Sequence, residues 1–391
     1  MPQCPTNCGS PLPRLALLAT ALPLLAITIA AFGGAGTHSA VSAAPRPQNE
    51  RYQDPTAGAE LQTGIELTRT GHFAEAIPHF LAARGRVADE FAADFNLALC
   101  YVAIGENQAA VPILRGLVTG GQATAAVYNL LTQALVGTSR IDEASQAFER
   151  AASLDAKNEK LYLLIADSCM EHESYDFGVK VVSTGLQHLT KSARLHYERG
   201  VLLSFLDQPD AARKDLQSAS ELAAGAPLSF LAQAQEGLLV AETTRSIAAA
   251  REGLRKDPSN YLLLTILGQA LLRQGVSPGQ PEFAEARAAL EKSVALRPEY
   301  SVSRLALGQL ELMAGQLQAS IDHLTKARQL APDNPAVYSQ LAAAYRRNGD
   351  LQDAEKALTV LAGLNRQQAA KYKLDPPDHK GSYIGSLSKP D

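Results

Sequence analysis

The chain has 391 residues, of which 46% are hydrophobic and 19% are charged, with 36 basic residues against 40 acidic ones. A net charge of −4 gives no basic footprint for a phosphate backbone, so we expect no nucleic-acid partner. Length alone would allow two or three globular domains, but the abundance of alanine and leucine is typical of closely packed helices.

Residues 1–44 predict an export segment. Arg14 precedes a largely apolar run from Leu15 to Phe32, and small residues offer a cleavage site after Ala43 or Ala44. The alternative is an uncleaved anchor in the inner membrane, because a run of this length lies at the short end of the spanning range. In both cases we expect the rest of the chain to be periplasmic or extracellular, with membrane contact only through residues 15–32 if they are retained.

Two short polar segments flank the central region. Residues 45–56 contain prolines and show no periodicity, which predicts an extended linker. Residues 369–391 are expected to complete a capping helix and then to form a disordered tail rich in glycine, serine and lysine.

Between these segments, residues 57–368 repeat a unit of 34 residues. In the unit that begins at Ser301, apolar residues recur at helical spacing on both sides of Gly315, and Pro332 closes the unit. This pattern predicts two helices joined by a tight turn. Six extra residues, Val276 to Pro281, are expected to lengthen one such turn. The units begin at residues 57, 91, 125, 159, 193, 227, 261, 301 and 335.

Two columns of small residues run through the nine units, where they allow helices to cross closely. The column in the first helix contains Gly64, Ala98, Thr132, Ala166, Gly200, Ala234, Gly268, Gly308 and Ala342. The column in the second helix contains Ala76, Ala110, Ala144, Gly178, Ala212, Ser246, Ala286, Ser320 and Ala354.

The period, the two columns, the Gly315 turn and the closing prolines Pro258, Pro298 and Pro332 resemble the tetratricopeptide repeat family. The resemblance covers residues 57–368 and implies an all-α fold, a right-handed α-solenoid of about nine helix–turn–helix repeats. The unit that begins at Pro227 departs most from the pattern, which predicts a looser or bent joint there.

The chain carries no zinc-protease, phosphate-binding or C-x-x-C motif, so we expect no enzyme, metal or cofactor. Residues 275–279 match G-x-S-x-G, but they fall in a predicted turn between helices and lack the strand-to-helix elbow that a nucleophile needs. The acidic and histidine side chains of residues 171–173 also fall in a predicted turn. Cys100 and Cys169 lie two units apart, too far for a disulfide, and are expected to be buried thiols.

The family resemblance implies that the first helices line a concave groove that binds a partner protein or peptide. Side-chain amides repeat along one slot of these helices and could hold the backbone of an extended peptide. The alternative is that glutamine is simply a good exposed helix former. The candidate groove residues are Gln133, Asp167, Gln235, Leu238, Gln269, Leu272, Gln309 and Leu312.

Two functions therefore remain open. One is a non-enzymatic scaffold that holds a partner polypeptide in the groove. The other is a membrane-anchored accessory subunit of an envelope export or assembly machine. Retention or removal of residues 15–32 separates them.

Overall fold

The computed structural model describes residues 55–374, which form eighteen helices and no strand. The export segment, the linker up to residue 54 and the tail beyond residue 374 lie outside this range. The helices pair in sequence, so the predicted all-α fold, an α-solenoid of about nine repeats, is confirmed. In chain order the helices are α1 (Pro55–Arg69), α2 (Phe73–Ala83), α3 (Glu90–Ala103), α4 (Asn107–Thr119), α5 (Ala125–Gly137), α6 (Ile141–Leu154), α7 (Glu159–Glu171), α8 (Tyr175–His188), α9 (Ala193–Phe205), α10 (Pro209–Leu222), α11 (Pro227–Leu239), α12 (Thr243–Lys256), α13 (Tyr261–Gln274), α14 (Pro281–Leu296), α15 (Ser301–Met313), α16 (Leu317–Leu330), α17 (Pro335–Asn348) and α18 (Leu351–Leu374).

The lengthened turn contains two residues with a left-handed backbone, one of them Gly279. In every pair, one residue with a left-handed backbone lies one or two positions after the first helix. Five of these residues are glycines, for which a positive φ carries no steric penalty. At the other four a Cβ crowds the backbone, at a cost of about 1 to 2 kcal/mol each. The nine residues, with φ between 52° and 90°, are Gly71, Gly105, Ser139, Glu173, Asp207, Ala241, Gly275, Gly315 and Gly349.

The column of small residues in the first helices marks where the two helices of a pair cross. A Cβ built on Gly200 would lie 2.9 Å from Leu216 Cγ, and one built on Gly308 would lie 2.7 Å from Leu324 Cγ. The second column supports the same crossing, because the Ser320 hydroxyl donates to the Gly308 carbonyl at 2.7 Å. Larger side chains at these positions would push the helices apart.

The lengthened turn lies where the six extra residues predict it. Helix α13 ends at Gln274 and α14 begins at Pro281, so Pro281 itself opens the helix. Within the turn, the Ser277 backbone N–H donates to Gln280 Oε1 at 2.7 Å, and Val276 is 4% exposed. The G-x-S-x-G match therefore lies between two helices.

The least typical pair, α11 and α12, still forms two regular helices. The Gln233 amide donates to the Ser220 hydroxyl at 2.9 Å and to the Ser229 hydroxyl at 3.2 Å. A Cβ built on Gly237 would lie 2.8 Å from the Ser246 backbone nitrogen. The departures from the repeat pattern are thus accommodated by polar contacts within α11 and to the preceding helix α10, and by close packing between α11 and α12.

The described residues divide into two compact units, an N-terminal unit that ends at Pro258 and a C-terminal unit that begins at Ser259. In the N-terminal unit α5 contacts α7 and α7 contacts α9, and in the C-terminal unit α13 contacts α15 and α15 contacts α17. Among second helices of the described chain, only α6 and α8 make a comparable contact. First helices therefore crowd together on one side of each unit, which we call the inner face.

Between residues 55 and 374, no helix combines the length and the apolar character needed to cross a membrane.

Candidate functional site

The candidate groove residues all lie on first helices, but their side chains differ in exposure. Gln133 on α5 is partly exposed, and its Nε2 donates to Asn129 Oδ1 at 2.6 Å. Asn129 in turn donates to the Leu161 carbonyl at 2.8 Å. The Gln133 amide therefore belongs to a chain of hydrogen bonds that joins α5 to α7.

Two candidate groove residues on α11 are buried. Gln235 is 4% exposed and Leu238 is 2% exposed. Both side chains are part of the interior of the N-terminal unit and present almost no surface. Both residues were predicted to line a groove. They lie on a first helix, but their side chains face neighbouring helices.

The C-terminal unit presents two amides on its inner face. Gln269 on α13 and Gln309 on α15 occupy equivalent positions in successive pairs, and both are partly exposed. Neither side chain hydrogen-bonds to another residue within the described part of the chain. Leu272 is partly buried against a core cluster and Leu312 is 8% exposed. The amides, rather than the leucines, are the groups that this surface offers.

An acidic pair occupies the inner face of the N-terminal unit. It consists of Asp167 on α7 and Glu198 on α9. Both carboxylate oxygens of Asp167 and the Oε2 atom of Glu198 are buried, and none has a hydrogen-bond partner within residues 55–374. Glu198 is 2% exposed, whereas Asp167 keeps partial exposure. The exposed part of Asp167 is not its carboxylate group, because both carboxylate oxygens are buried.

Burial disfavours the charged forms of both members of the acidic pair. It raises the pKa of Asp167, and the nearby carboxylates of Glu198 and Glu171 raise it further, while Arg194 acts in the opposite direction. Burial also raises the pKa of Glu198, again opposed by Arg194. In the absence of a ligand, the pair is therefore neutralised by protons at pH values where ordinary carboxyl groups are ionised.

Arg194 does not neutralise the acidic pair by direct contact. Its guanidinium is close enough to lower the pKa of both carboxyl groups. However, no ion pair between Arg194 and either acid is found among the residues that the structure describes. With both acids ionised, the three side chains carry a net charge of −1, before the further acid Glu171 is counted.

Asp167 was a candidate from the sequence, but its partner Glu198 was not. Glu198 occupies a different slot of the first helix, three positions before that of Gln309. Its slot contains Gln62, Asn96, Leu130, Leu164, Glu198, Ala232, Ile266, Ala306 and Gln340, so it is the one acid in its column. Asp167 and Glu198 are each the one charged residue in a column of uncharged residues. A search of the sequence for such exceptions would have found both acids.

The remaining chemical candidates occupy ordinary structural positions. Cys100 and Cys169 are free, buried thiols, as predicted. Burial raises the pKa of both, which makes them poor nucleophiles. Glu171, His172 and Glu173 are exposed at the turn between α7 and α8.

Comparison with protein families identifies the repeat. Tetratricopeptide repeat models match residues 61–126, 279–335 and 311–374. The chain carries tetratricopeptide repeats. The matched segments lie near both ends of the described range, and the helix pairs between them keep the same alternation of first and second helices. A separate comparison with curated proteins found no match.

Several solved structures resemble these tetratricopeptide repeats. The Cut9–Hcn1 hetero-tetramer of the APC/C shares 15% identity over 73% of this chain, with a TM-score of 0.45, and this chain covers 55% of its length. A tetratricopeptide repeat protein from Parabacteroides merdae shares 15% identity over 74% of this chain and 99% of its own, with a TM-score of 0.47. The protein TTC0263 from Thermus thermophilus shares 21% identity over 47% of this chain and 100% of its own, with a TM-score of 0.39. These values carry no argument about partners or activity.

Proposed function

We propose that this protein is a non-enzymatic scaffold that binds a partner polypeptide along the inner faces of its first helices. Tetratricopeptide repeats generally mediate protein–protein interactions, and this chain carries them. The observation that carries the proposal is the pair of partly exposed amides of Gln269 and Gln309, which repeat at equivalent positions and are not engaged by other described residues.

A repeated amide suits the backbone of an extended segment. Each glutamine side chain offers two N–H donors and one carbonyl acceptor, the groups that pair with backbone carbonyls and N–H groups. Because these contacts do not involve the partner's side chains, they give affinity without selecting a sequence. Selectivity then has to come from other parts of the inner face.

The test is site-specific photo-crosslinking in the native host. A benzophenone amino acid replaces Gln269 or Gln309 in the full-length chain, and the matched control replaces Gln318, an exposed glutamine on the second helix α16. We expect the same partner polypeptide to be crosslinked from both inner-face positions and not from Gln318.

Crosslinks that are equally strong from Gln318, or that arise only from Gln318, would contradict the proposed binding face. Melting temperatures of the three variants should agree with that of the wild type, because all three glutamines lie at the surface. This control separates loss of binding from loss of fold.

We also propose that the chain is exported. The support is the apolar run from Leu15 to Phe32 followed by small residues at a cleavage site. The accurate mass of the mature protein tests this. A mature N-terminus after Ala43 or Ala44 favours a periplasmic or extracellular scaffold, whereas a retained run favours the accessory subunit of an envelope machine. A chain that stays in the cytoplasm would contradict both.

A further inference from the structure

The acidic pair stands apart from the other buried acids of the N-terminal unit. Asp215 is 5% exposed and lies 2.6 Å from Arg199 Nε and 2.8 Å from His196 Nδ1. Glu236 is 1% exposed and lies 3.2 Å from Arg213 Nε and 2.7 Å from Arg245 Nη2. Each of these two acids is paired with two basic side chains.

Asp167 and Glu198 have no such partner, although Glu198 is as deeply buried as these two acids and both carboxylate oxygens of Asp167 are buried. A buried carboxylate without a hydrogen bond costs free energy and persists only where something compensates for it. Three of the four carboxylate oxygens of the pair are buried and unpartnered within the described chain. The pair is therefore equipped to receive donors that this part of the chain does not supply.

We infer that the acidic pair Asp167 and Glu198 binds a primary ammonium group of the partner polypeptide. This inference rests on the proposed scaffold function and names the chemistry that it recognises in the N-terminal unit. An ammonium carries three N–H donors and one positive charge. It thus matches three unpartnered oxygens, and it neutralises the net charge of −1 that the two acids and Arg194 carry when the acids are ionised.

The number and arrangement of donors on each cation favour an ammonium. A calcium ion requires six or more oxygen ligands, and two carboxylates are too few. A guanidinium is planar and prefers to bind both oxygens of one carboxylate in a fork. An ammonium is compact, and its donors can point to oxygens on two different helices. The ammonium belongs either to a lysine side chain or to the free N-terminus of the partner, since both carry a primary ammonium group.

Measuring proton release on binding distinguishes the proposed site from nonspecific attraction between surface charges. Because burial raises the pKa of both acids, binding of a cation has to displace protons from the pair. The charged groups that act on Asp167 are Glu198 and Arg194 on α9 and Glu171 on α7. Affinity should therefore increase as pH rises above the ordinary carboxyl range, until the ligand ammonium itself deprotonates, near about pH 10 for a lysine side chain and near about pH 8 for a free N-terminus.

The experiment uses the full chain and four short alanine–serine peptides in isothermal titration calorimetry. The first peptide has a blocked N-terminus and one internal lysine, and the second has a free N-terminus and no lysine. The third carries acetyl-lysine and the fourth carries arginine, both with blocked N-termini. Repeating the titrations in buffers with different ionisation enthalpies counts the protons released.

We expect the first or the second peptide to bind about tenfold or more tightly than the acetyl-lysine peptide, with protons released. Which of the two binds identifies the source of the ammonium. Asp167→Asn and Glu198→Gln should each weaken this binding about tenfold. Asp176→Asn, which removes an exposed acid from α8 in the same unit, should leave it unchanged.

Other outcomes overturn the inference. These are equal binding of the acetyl-lysine peptide, tighter binding of the arginine peptide, unchanged binding by the two neutral variants, or no heat from any peptide at millimolar concentration. If crosslinking from Gln269 and Gln309 succeeds while the lysine discrimination fails, the scaffold stands and the ammonium site falls. If instead the lysine discrimination succeeds and crosslinking from Gln269 and Gln309 fails, the ammonium site stands and the proposed scaffold function falls.

Discussion

Arg199 and Asp215 form a two-pronged ion pair between α9 and α10. Arg199 Nε donates to Oδ2 at 2.6 Å, and Nη2 donates to Oδ1 at 2.8 Å. Asp215→Asn removes the charge and replaces one of the two acceptor oxygens with an NH2 group, which cannot accept from the guanidinium or from His196. We expect a loss of about 2 to 3 kcal/mol in the free energy of unfolding, less than for a fully buried pair because Arg199 is partly exposed. Urea unfolding at neutral pH measures it, and an unchanged midpoint would contradict the structural role.

Asp167→Asn is expected to act in the opposite direction. The pKa of Asp167 is raised in the folded protein, so the folded state holds a proton that the unfolded chain releases. Stability therefore falls as pH rises from the ordinary carboxyl range toward the folded-state pKa. The neutral amide avoids this loss. Near pH 8 the free energy of unfolding of the variant should exceed that of the wild type by about 1 kcal/mol or more. A destabilised variant at that pH would indicate an unseen structural partner.

Glu311 provides a pH-dependent test in the C-terminal unit. It is 7% exposed, and burial raises its pKa to about 7, with Arg287 opposing the rise and Glu291 and Asp322 adding to it. Its raised pKa means that stability falls between about pH 4.5 and pH 7 and is level above that range. Across this pH window the wild type should lose about 1 to 3 kcal/mol in the free energy of unfolding, and Glu311→Gln should not show this loss.

The measurement for Glu311 is the difference in unfolding free energy between wild type and variant at several pH values. His323 lies 3.7 Å from Glu311, and burial lowers its pKa, which gives a slope of opposite sign below its ordinary range. Because Glu311→Gln also changes the surroundings of His323, the same difference measured in a His323→Gln background isolates the contribution of Glu311. Glu299→Gln, at an exposed acid, should leave the profile unchanged.

Gly200 should not tolerate a large side chain. Gly200→Leu would force a side chain against Leu216 and the Ala212 carbonyl, and such overpacking costs about 1 to 3 kcal/mol or more. Gly116 on α4 is the matched control, because it is also helical but has open space around its Cβ. Gly116→Leu is expected to gain up to about 1 kcal/mol from helix propensity. Thermal unfolding should rank the two variants on opposite sides of the wild type.

Ala241 is a position where a glycine is expected to stabilise. Its φ of 60° strains the backbone, and glycine relieves about 1 to 2 kcal/mol of that strain. Glycine also increases the entropy of the unfolded chain, so the expected net gain is about 0.5 to 1 kcal/mol. The reverse change, Gly105→Ala at φ 82°, should lower stability. Equal melting temperatures for both variants and the wild type would show that the turns relax freely.

The fold could be predicted from the sequence because every unit repeats the same local signals. The predicted starts at Ala125, Glu159, Ala193, Pro227 and Tyr261 coincide with the first residues of first helices. Small residues at crossings leave one way to pack a pair, so sequence period and three-dimensional repeat coincide. The first helices of the first two pairs, α1 and α3, begin slightly earlier than predicted, at Pro55 and Glu90, where helix ends depend on capping contacts.

The site was harder to predict, because a column of equivalent residues does not fix exposure. Gln235 and Gln309 occupy the same slot, yet the first is buried and the second is partly exposed. The neighbours on adjacent helices decide the difference, and they come from other repeats. The acidic pair shows the same limit, since Asp167 and Glu198 meet only when α7 packs against α9.

The lengthened turn between Gly275 and Gln280 has a practical consequence for labelling the protein. The chain absorbs six extra residues there while α14 and the helices after it keep their pairing. Val276 is buried and should be preserved, but Gly279 has no atom within 4 Å of a built Cβ. A fluorescent domain or an affinity tag inserted after Gly279 should therefore leave the repeats intact, which provides a labelling position inside the chain.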